Sequence, residues 1–356
     1  MEVRQLDSKG RAVELVPRSE EDLWTLAMAI RKGELIRTVV MRDVSGKDAK
    51  SKERRPIEVL LRVESVEFQP FTGVLRVFGV IEEGPEKFGV KGKHQSAYLG
   101  LNQRVTLIRE SGWDRKTIEK LMSSGPRGKA MIVAVDYDSY AMALLTPLGL
   151  KVLYEGNLSL GAKDDPRRQE SLEKAINEIA EGAVKHAAEE GVAVIVIAGP
   201  VTLKDEVANK VKQMARSFNI ITDSTSSGGL EGIYEVLRRQ SVIDALKEIS
   251  SVRAQEVMDE FMKLFSTDRD MVAYTLDDVL EASNYGAVKS MIILDELLYS
   301  INDDEREKAQ RAVELAETRG GEVIIITSET PVSTTVSSFG GVVATLRFRL
   351  PREIKQ

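Results

Sequence analysis

The chain contains no cysteine. That excludes disulfide staples, thiolate metal sites and cysteine nucleophiles, and a reducing cytoplasm is the expected setting. Its 356 residues include two histidines, His94 and His186, too few for a multi-histidine metal centre. No apolar run approaches the roughly 18 to 20 residues that a membrane-spanning helix needs. The opening Met1-Glu2-Val3-Arg4-Gln5-Leu6-Asp7 has no basic stretch leading into an apolar one, so no secretory signal is expected. Signatures of chemistry are missing as well. There is no Gly-x-x-x-x-Gly-Lys-Ser/Thr phosphate loop, no His-Glu-x-x-His and no nucleophile elbow. The catalytic list for this sequence is therefore empty, and no cofactor is expected.

What is present suits a soluble globular protein of two or three domains: 42% hydrophobic and 30% charged residues. The net charge of −6 hides an asymmetry. Residues 1–130 hold 25 Lys and Arg against 19 Asp and Glu, a net of +6; the remainder holds 25 against 37, a net of −12. A basic end on an acidic body points to a nucleic-acid partner at that end. Its cations cluster. Arg31-Lys32 precede a strand and Arg42 lies near its end. Lys47, Lys50, Lys52, Arg54 and Arg55 crowd a connection between two strands, and Lys91, Lys93 and His94 surround Gly92. Cations that reach phosphates add affinity without reading sequence. An ordinary solvated hairpin carries such charge too, so the pattern alone does not decide.

Periodicity divides the chain into three segments. In the first, near-alternating strands are expected at 39–44, 56–68, 74–81 and 104–109, with a helix at 20–30 capped by Ser19 and a short helix at 113–122. The second has strands at 130–135, 140–146, 152–157, 192–198 and 218–222. Helices are expected at 169–190 and 204–217, with a long helical tract over 230–265. The third has buried strands at 288–294, 323–327 and 342–348 and an amphipathic helix at 303–318, with Asp303 and Asp304 at its start and Gly320-Gly321 after its end. The expected fold class is multidomain α+β and α/β, with boundaries at 1–128, 129–267 and 268–356.

The third segment carries the most specific pattern. Val272-Ala273-Tyr274-Thr275-Leu276-Asp277-Asp278-Val279 leads to Gly286-Ala287-Val288 and the run Met291-Ile292-Ile293-Leu294-Asp295-Glu296. Phe339-Gly340-Gly341-Val342-Val343-Ala344-Thr345-Leu346 closes it. This resembles the C-terminal domain shared by Pelota proteins and the class-1 peptide release factors of eukaryotes and archaea. Upstream stretches fit in order: Tyr98-Leu99 through Trp113-Asp114, Val133-Ala134-Val135-Asp136 with Ala141 to Thr146, and Ile197-Ala198-Gly199-Pro200 before Lys204-Asp205-Glu206. The resemblance implies an Sm-like β-barrel-type N-terminal domain, a central mixed-sheet domain of RNase H-like form, and a C-terminal α/β/α domain. Release factors need Gly-Gly-Gln to place water at the peptidyl-tRNA ester. This chain has no Gly-Gly-Gln and no Asn-Ile-Lys-Ser, and its Gly228-Gly229-Leu230 reads as a turn before a helix. The Pelota side of the resemblance is therefore the closer one, although Pro200-Val201-Thr202 stands where Pelota proteins commonly have Pro-Gly-Phe.

That resemblance implies a rescue factor for stalled ribosomes, active in no-go and non-stop surveillance of mRNA. The N-terminal domain would enter the A-site. Partners would be the ribosome with its mRNA and tRNA, a translational GTPase of the elongation factor 1 alpha type in its GTP form, and a recycling ABC ATPase. No membrane is expected to take part, and the chain is expected to act as a monomer. Lys163, Arg167 and Arg168 sit where the Gly-Gly-Gln loop would be and inherit a tRNA- and GTPase-facing role. The alternative is a divalent-metal-dependent endoribonuclease cutting stalled mRNA through the N-terminal domain, which has no evident carboxylate cluster. In the central segment Asp136, Asp138 and Asp223 lie near strand ends, where three carboxylates could hold a cation. Turn and capping roles are commoner for such aspartates.

Overall fold

Residues 1–7, 10–45, 52–122, 128–160, 166–246 and 249–350 are described by the structure, a computed structural model. By contacts the chain falls into two units: Met1–Pro126 with Asp295–Gln310, and Arg127–Leu294 with Arg311–Gln356.

In the first unit, alternating apolar residues make one antiparallel sheet. Its strands are β1 (Glu2–Gln5), β2 (Ala12–Val16), β3 (Leu35–Ser45), β4 (Lys52–Phe68), β5 (Val74–Glu83), β6 (His94–Gly100) and β7 (Val105–Ile108), in the order β1-β2-β7-β3-β4-β5-β6. The inward rows, among them Leu15, Ile36, Leu61, Leu75, Leu99 and Leu107, are fully buried. Helix α1 (Glu20–Ala29) adds Leu23 and Leu26 to that core. Its start is the expected one: Ser19 Oγ accepts from Asp22 N, and Asp22 returns a carboxylate to Ser19 N, a reciprocal cap. Helix α2 (Arg115–Met122) follows. The sheet curls over on itself. Arg42 on β3 donates to Gln95 on β6 at 2.8 Å although β4 and β5 lie between them in the sheet order. Strands β1, β2 and β6 were not among the expected ones. In β6 only Ala97 and Leu99 turn fully inward, so polar residues mask its alternation.

In the second unit, β8 (Ala130–Val135), β9 (Ser139–Thr146), β10 (Gly149–Asn157), β11 (Val194–Gly199) and β12 (Asn219–Ser224) form a mixed sheet, β10-β9-β8-β11-β12. Strands β8, β11 and β12 run parallel, while β8-β9-β10 is an antiparallel meander. Helices α3 (Arg168–Glu189) and α4 (Leu203–Met214) supply Ile179, Ala183 and Val207 to the core on one face. The expected single tract over 230–265 is three helices: α5 (Gly229–Val236), α6 (Gln240–Leu246) and α7 (Ser250–Thr267). The break has a packing cause. The stripes of α5 and α6 cover the other face of this sheet through Ile233, Val236 and Ile243. The stripe of α7, with Val257, Met258 and Phe261, belongs to the core of a different sheet. One straight helix could not serve both.

That third sheet holds β13 (Val272–Tyr274), β14 (Val288–Leu294), β15 (Glu322–Ile326) and β16 (Val342–Leu346) in the order β13-β16-β14-β15. Strands β14 and β15 are parallel, and the other pairs are antiparallel. Helix α8 (Leu276–Tyr285) is capped by the Thr275 hydroxyl and ends on Gly286 in the left-handed region. Helices α9 (Asp295–Leu298), α10 (Asp303–Thr318) and α11 (Ser333–Ser338) complete the chain, and α10 has the bounds expected from sequence. Among the described residues no helix is long and apolar enough to cross a membrane.

The segment Asp295–Gln310 joins the first unit through a buried carboxylate. Asp295 is 1% exposed; its Oδ2 accepts from Trp24 Nε1 at 2.7 Å and from the Tyr299 hydroxyl at 3.0 Å. Burial pushes the Asp295 carboxyl up to about 6, although both donors pull the other way. An acid held above its unfolded value binds its proton more tightly in the folded state. Its contribution to stability is therefore full below about pH 4 and is lost as pH rises towards 6. Asp295→Asn is expected to be more stable than the parent at pH 7 by up to ~3 kcal/mol and to show no such advantage at pH 4. Chemical denaturation at the two pH values checks this.

Candidate functional site

Strands β3 and β4 carry the strongest concentration of the expected site residues. They pair without interruption from Leu35↔Arg62 to Ser45↔Lys52. Yet β7 covers β3 only over Leu35–Arg37, and β5 reaches β4 only from Leu60 onward. Residues 38–45 and 52–59 therefore form a two-stranded ribbon running beyond the sheet for about 25 Å, at ~3.4 Å per residue. Its lower part packs inward through Val40 and Ile57, which are buried. Farther out, Arg54, Arg55 and Pro56 are exposed, and Met41 is 55% exposed.

The ribbon's register sets Arg42 directly opposite Arg55. Like charges across an antiparallel pair are unfavourable where nothing offsets them. An anionic partner would turn the cost into affinity. Lys47 and Lys50 lie outside the described residues. Lys52 is placed on β4 with its side chain outside them.

A second group reaches the same place. Gly92, at φ +77, turns the loop that carries Lys91 and Lys93 into β6. His94 stacks on Phe78 with centroids 5.5 Å apart and planes 12° apart, and its Nε2 lies 3.4 Å from Glu64 Oε1. Because Arg42 donates to Gln95, the start of β6 stands against the ribbon at Arg42. Arg42, on the strand pair that carries Arg54 and Arg55, thus lies at the start of β6, which His94 opens and the loop with Lys91 and Lys93 precedes. Arg31 and Lys32 do not join them. They precede Leu35, seven residues of extended strand from Arg42 and so roughly 23 Å away, and Lys32 pairs with Asp303 at 2.9 Å.

In the second unit Arg167 occupies the cap position of α3, without a side-chain cap, and Arg168 is its first residue. Two cations at a helix N-terminus oppose its dipole, which fits a charged partner at that end. Lys163 lies outside the described residues. Of the three aspartates considered for a cation, Asp136 and Asp223 are engaged by other donors. Asp136 Oδ2 accepts from Gly228 N at 2.6 Å, and its Oδ1 accepts from Asp138 N at 2.8 Å and Ser139 N at 2.7 Å. Burial raises the Asp136 pKa, but these donors together hold it below the usual carboxylate range. Asp223 accepts from the Ser241 hydroxyl and from Ser224 N at 2.7 Å. Asp136→Ala would strand several partly buried donors and is expected to lower stability by about 2–3 kcal/mol. The depressed pKa also makes the clamp's contribution full above the unfolded value and lost as pH falls below it. A denaturation series over pH on the parent and Asp136→Ala tests both points. Among the described residues no group of three His, Cys, Asp or Glu side chains is placed to hold a metal ion.

Sequence reasoning missed the face formed by β4, β5 and β6, where Tyr98 is 60% exposed beside Arg76 and Phe78. Its signal was the outward half of a polar alternation, which reads as ordinary surface.

Two family models match the chain: one described as the Pelota N-terminal domain over residues 1–124, and one described as eRF1 domain 3 over residues 251–350. The protein pelota homolog of Aeropyrum pernix is 42% identical over 356 residues, covering 100% of both chains. The crystal structure of the Thermoplasma acidophilum Pelota protein superposes with a TM-score of 0.67 at 22% identity, over 98% of this chain and 100% of that one. The S. cerevisiae Dom34 structure, described as a translation termination-like factor in RNA quality control that interacts with Hbs1, gives 0.52 at 20% identity and covers 100% of both. At those identities the two structures speak for the fold.

Proposed function

The chain belongs to the Pelota family, and from that premise we propose that it is a ribosome-rescue factor that works by binding and holds no catalytic centre of its own. The observation that carries the reading is the cationic ribbon, with Arg42 facing Arg55 and bonded to Gln95 at the start of β6, on a chain 42% identical over its full length to a member of this family. The ribbon enters a vacant A-site and holds rRNA and mRNA by their phosphates, which suits a factor that must accept any stalled message. The Arg167–Arg168 end of α3 faces tRNA and the partner GTPase. The third sheet with α7 binds a translational GTPase of the elongation factor 1 alpha type in its GTP form, and later the recycling ABC ATPase. NTP hydrolysis by those partners drives subunit dissociation. The peptidyl-tRNA ester stays intact because this chain has no Gly-Gly-Gln to position water. The factor acts in the cytoplasm as a monomer and needs no cofactor.

The test is sedimentation of the purified chain with the GTPase and a non-hydrolysable GTP analogue. Co-migration with ribosomes whose A-site is empty, and not with ribosomes whose A-site holds tRNA, is expected. Equal binding to both would overturn the reading.

A further inference from the structure

The outer face of β4, β5 and β6 carries features that neither the sheet's core nor the ribbon explains. Strand register sets Arg76 opposite Tyr98, Phe78 opposite Ser96 and Val80 opposite His94. On the other side it sets Glu67 opposite Arg76 and Ser65 opposite Phe78. A bulge makes this alignment: Glu64 is the extra residue between Val63 and Ser65, so the strand changes phase there. Gly79 is what allows it. A Cβ at Gly79 would lie 2.0 Å from the Arg62 carbonyl oxygen.

The result is a cleft of about 160 Å³ lined by Ser65, Glu67, Arg76 and Phe78. That is well below the roughly 300 Å³ at which drug-sized pockets begin, and leaves room for one planar ring. Phe78, with His94 stacked on it, is an aromatic wall of the cleft. Arg76 is held by Glu67 at 2.9 Å and Ser96 at 3.3 Å. Tyr98 stands next along β6 with its ring in solvent.

We propose that this face is a base-stacking platform for single-stranded RNA: one base enters the cleft against Phe78 and the neighbouring base stacks on Tyr98. The proposal rests on the RNA-binding role given above to the N-terminal sheet and adds a site to it. Every base has a π-face, so stacking on strand-borne aromatics holds single strands with little sequence preference. The occupant follows from the surroundings. The face continues into Lys91, Lys93 and His94 at the start of β6, which would follow the backbone. Glu67 offsets the charge of Arg76 on the platform itself, so its affinity comes from rings and not from phosphates. Glu67 adds a modest preference: a carboxylate accepts from the exocyclic amino group of cytosine or adenine, and uracil has none.

Fluorescence anisotropy of the full chain with short labelled oligo(A), oligo(C) and oligo(U) RNA tests this. Tyr98→Ala is expected to weaken oligo(A) binding about 5- to 100-fold, with an unchanged slope of log affinity against log salt, because no charge is lost. Tyr98→Phe is expected to bind like the parent, and Glu67→Gln to lose the preference over oligo(U). Parent-like binding by Tyr98→Ala, or a loss that Tyr98→Phe shares, would overturn the platform. Subunit dissociation by the parent, measured alongside, separates the two readings. A chain that splits ribosomes while its RNA affinity ignores Tyr98 lacks only the platform. A chain that stacks RNA through Tyr98 and splits nothing keeps the platform and loses the rescue role.

Discussion

Replacing Lys50, Lys52, Arg54 and Arg55 together with glutamine is expected to lower ribosome affinity on the order of 100-fold near physiological salt, while GTPase binding stays within about twofold. The size follows from counterion release. Each phosphate neutralised contributes roughly 0.7 to 0.9 to the slope of log affinity against log salt, so four lost contacts should flatten that slope by about three. The geometry supports a selective effect. Lys52, Arg54 and Arg55 lie on the β4 side of the ribbon, beyond the reach of β5, and Arg54 and Arg55 are exposed there. The core residues Val40 and Ile57 are untouched, so the thermal transition should move little. Filter binding on ribosomes over a salt series, with GTPase pull-down in parallel, reads both quantities. Equal loss of both activities would contradict the assignment.

The second large effect concerns the GTPase. A chain ending before Ser250 is expected to bind the GTPase below detection and to keep ribosome affinity within a few-fold. The cut must precede α7. Val257, Met258 and Phe261 of that helix pack with Ile292, Ile324, Val336 and Val343, and Phe261 is fully buried against Phe339. A cut near 268 would leave that stripe in water, an exposed apolar patch prone to association. The shorter chain also loses partners for the β9–β10 turn. Leu150 N donates to the Glu329 carbonyl at 3.0 Å, and the Ser251 hydroxyl donates to the Thr146 carbonyl at 3.0 Å. Some loss of thermal stability is thus expected, and circular dichroism of the truncated chain establishes that it is folded. Undiminished GTPase binding would overturn the assignment of the C-terminal sheet.

Much of this fold was legible because its signals are local. Asp303-Asp304 and Gly320-Gly321 bracket α10, and the reciprocal cap of Ser19 and Asp22 starts α1. The runs Ala130–Val135 and Val288–Leu294 are buried almost throughout and read as strands from composition alone. What stayed hidden depends on partners far away in sequence. Whether residues 230–265 make one helix or three is decided by which sheet each apolar stripe covers. The site behaves likewise. The cations of β3 and β4 were visible as a run, but the approach of Arg42 to the start of β6 depends on the curl that brings it to Gln95. The separation of Arg31 and Lys32 from that cluster depends on strand length and on Asp303. Tyr98 and Phe78 share a face only because of register and the bulge at Glu64.

The central claim is rescue without ester hydrolysis. The most direct measurement uses ribosomes stalled on a truncated message, incubated with this protein, the partner GTPase, the ABC ATPase, GTP and ATP. Subunits, peptidyl-tRNA and message are then followed together. The account predicts subunit dissociation with the peptidyl-tRNA ester and the message intact. Ester hydrolysis, or cleavage of the message without dissociation, would contradict it.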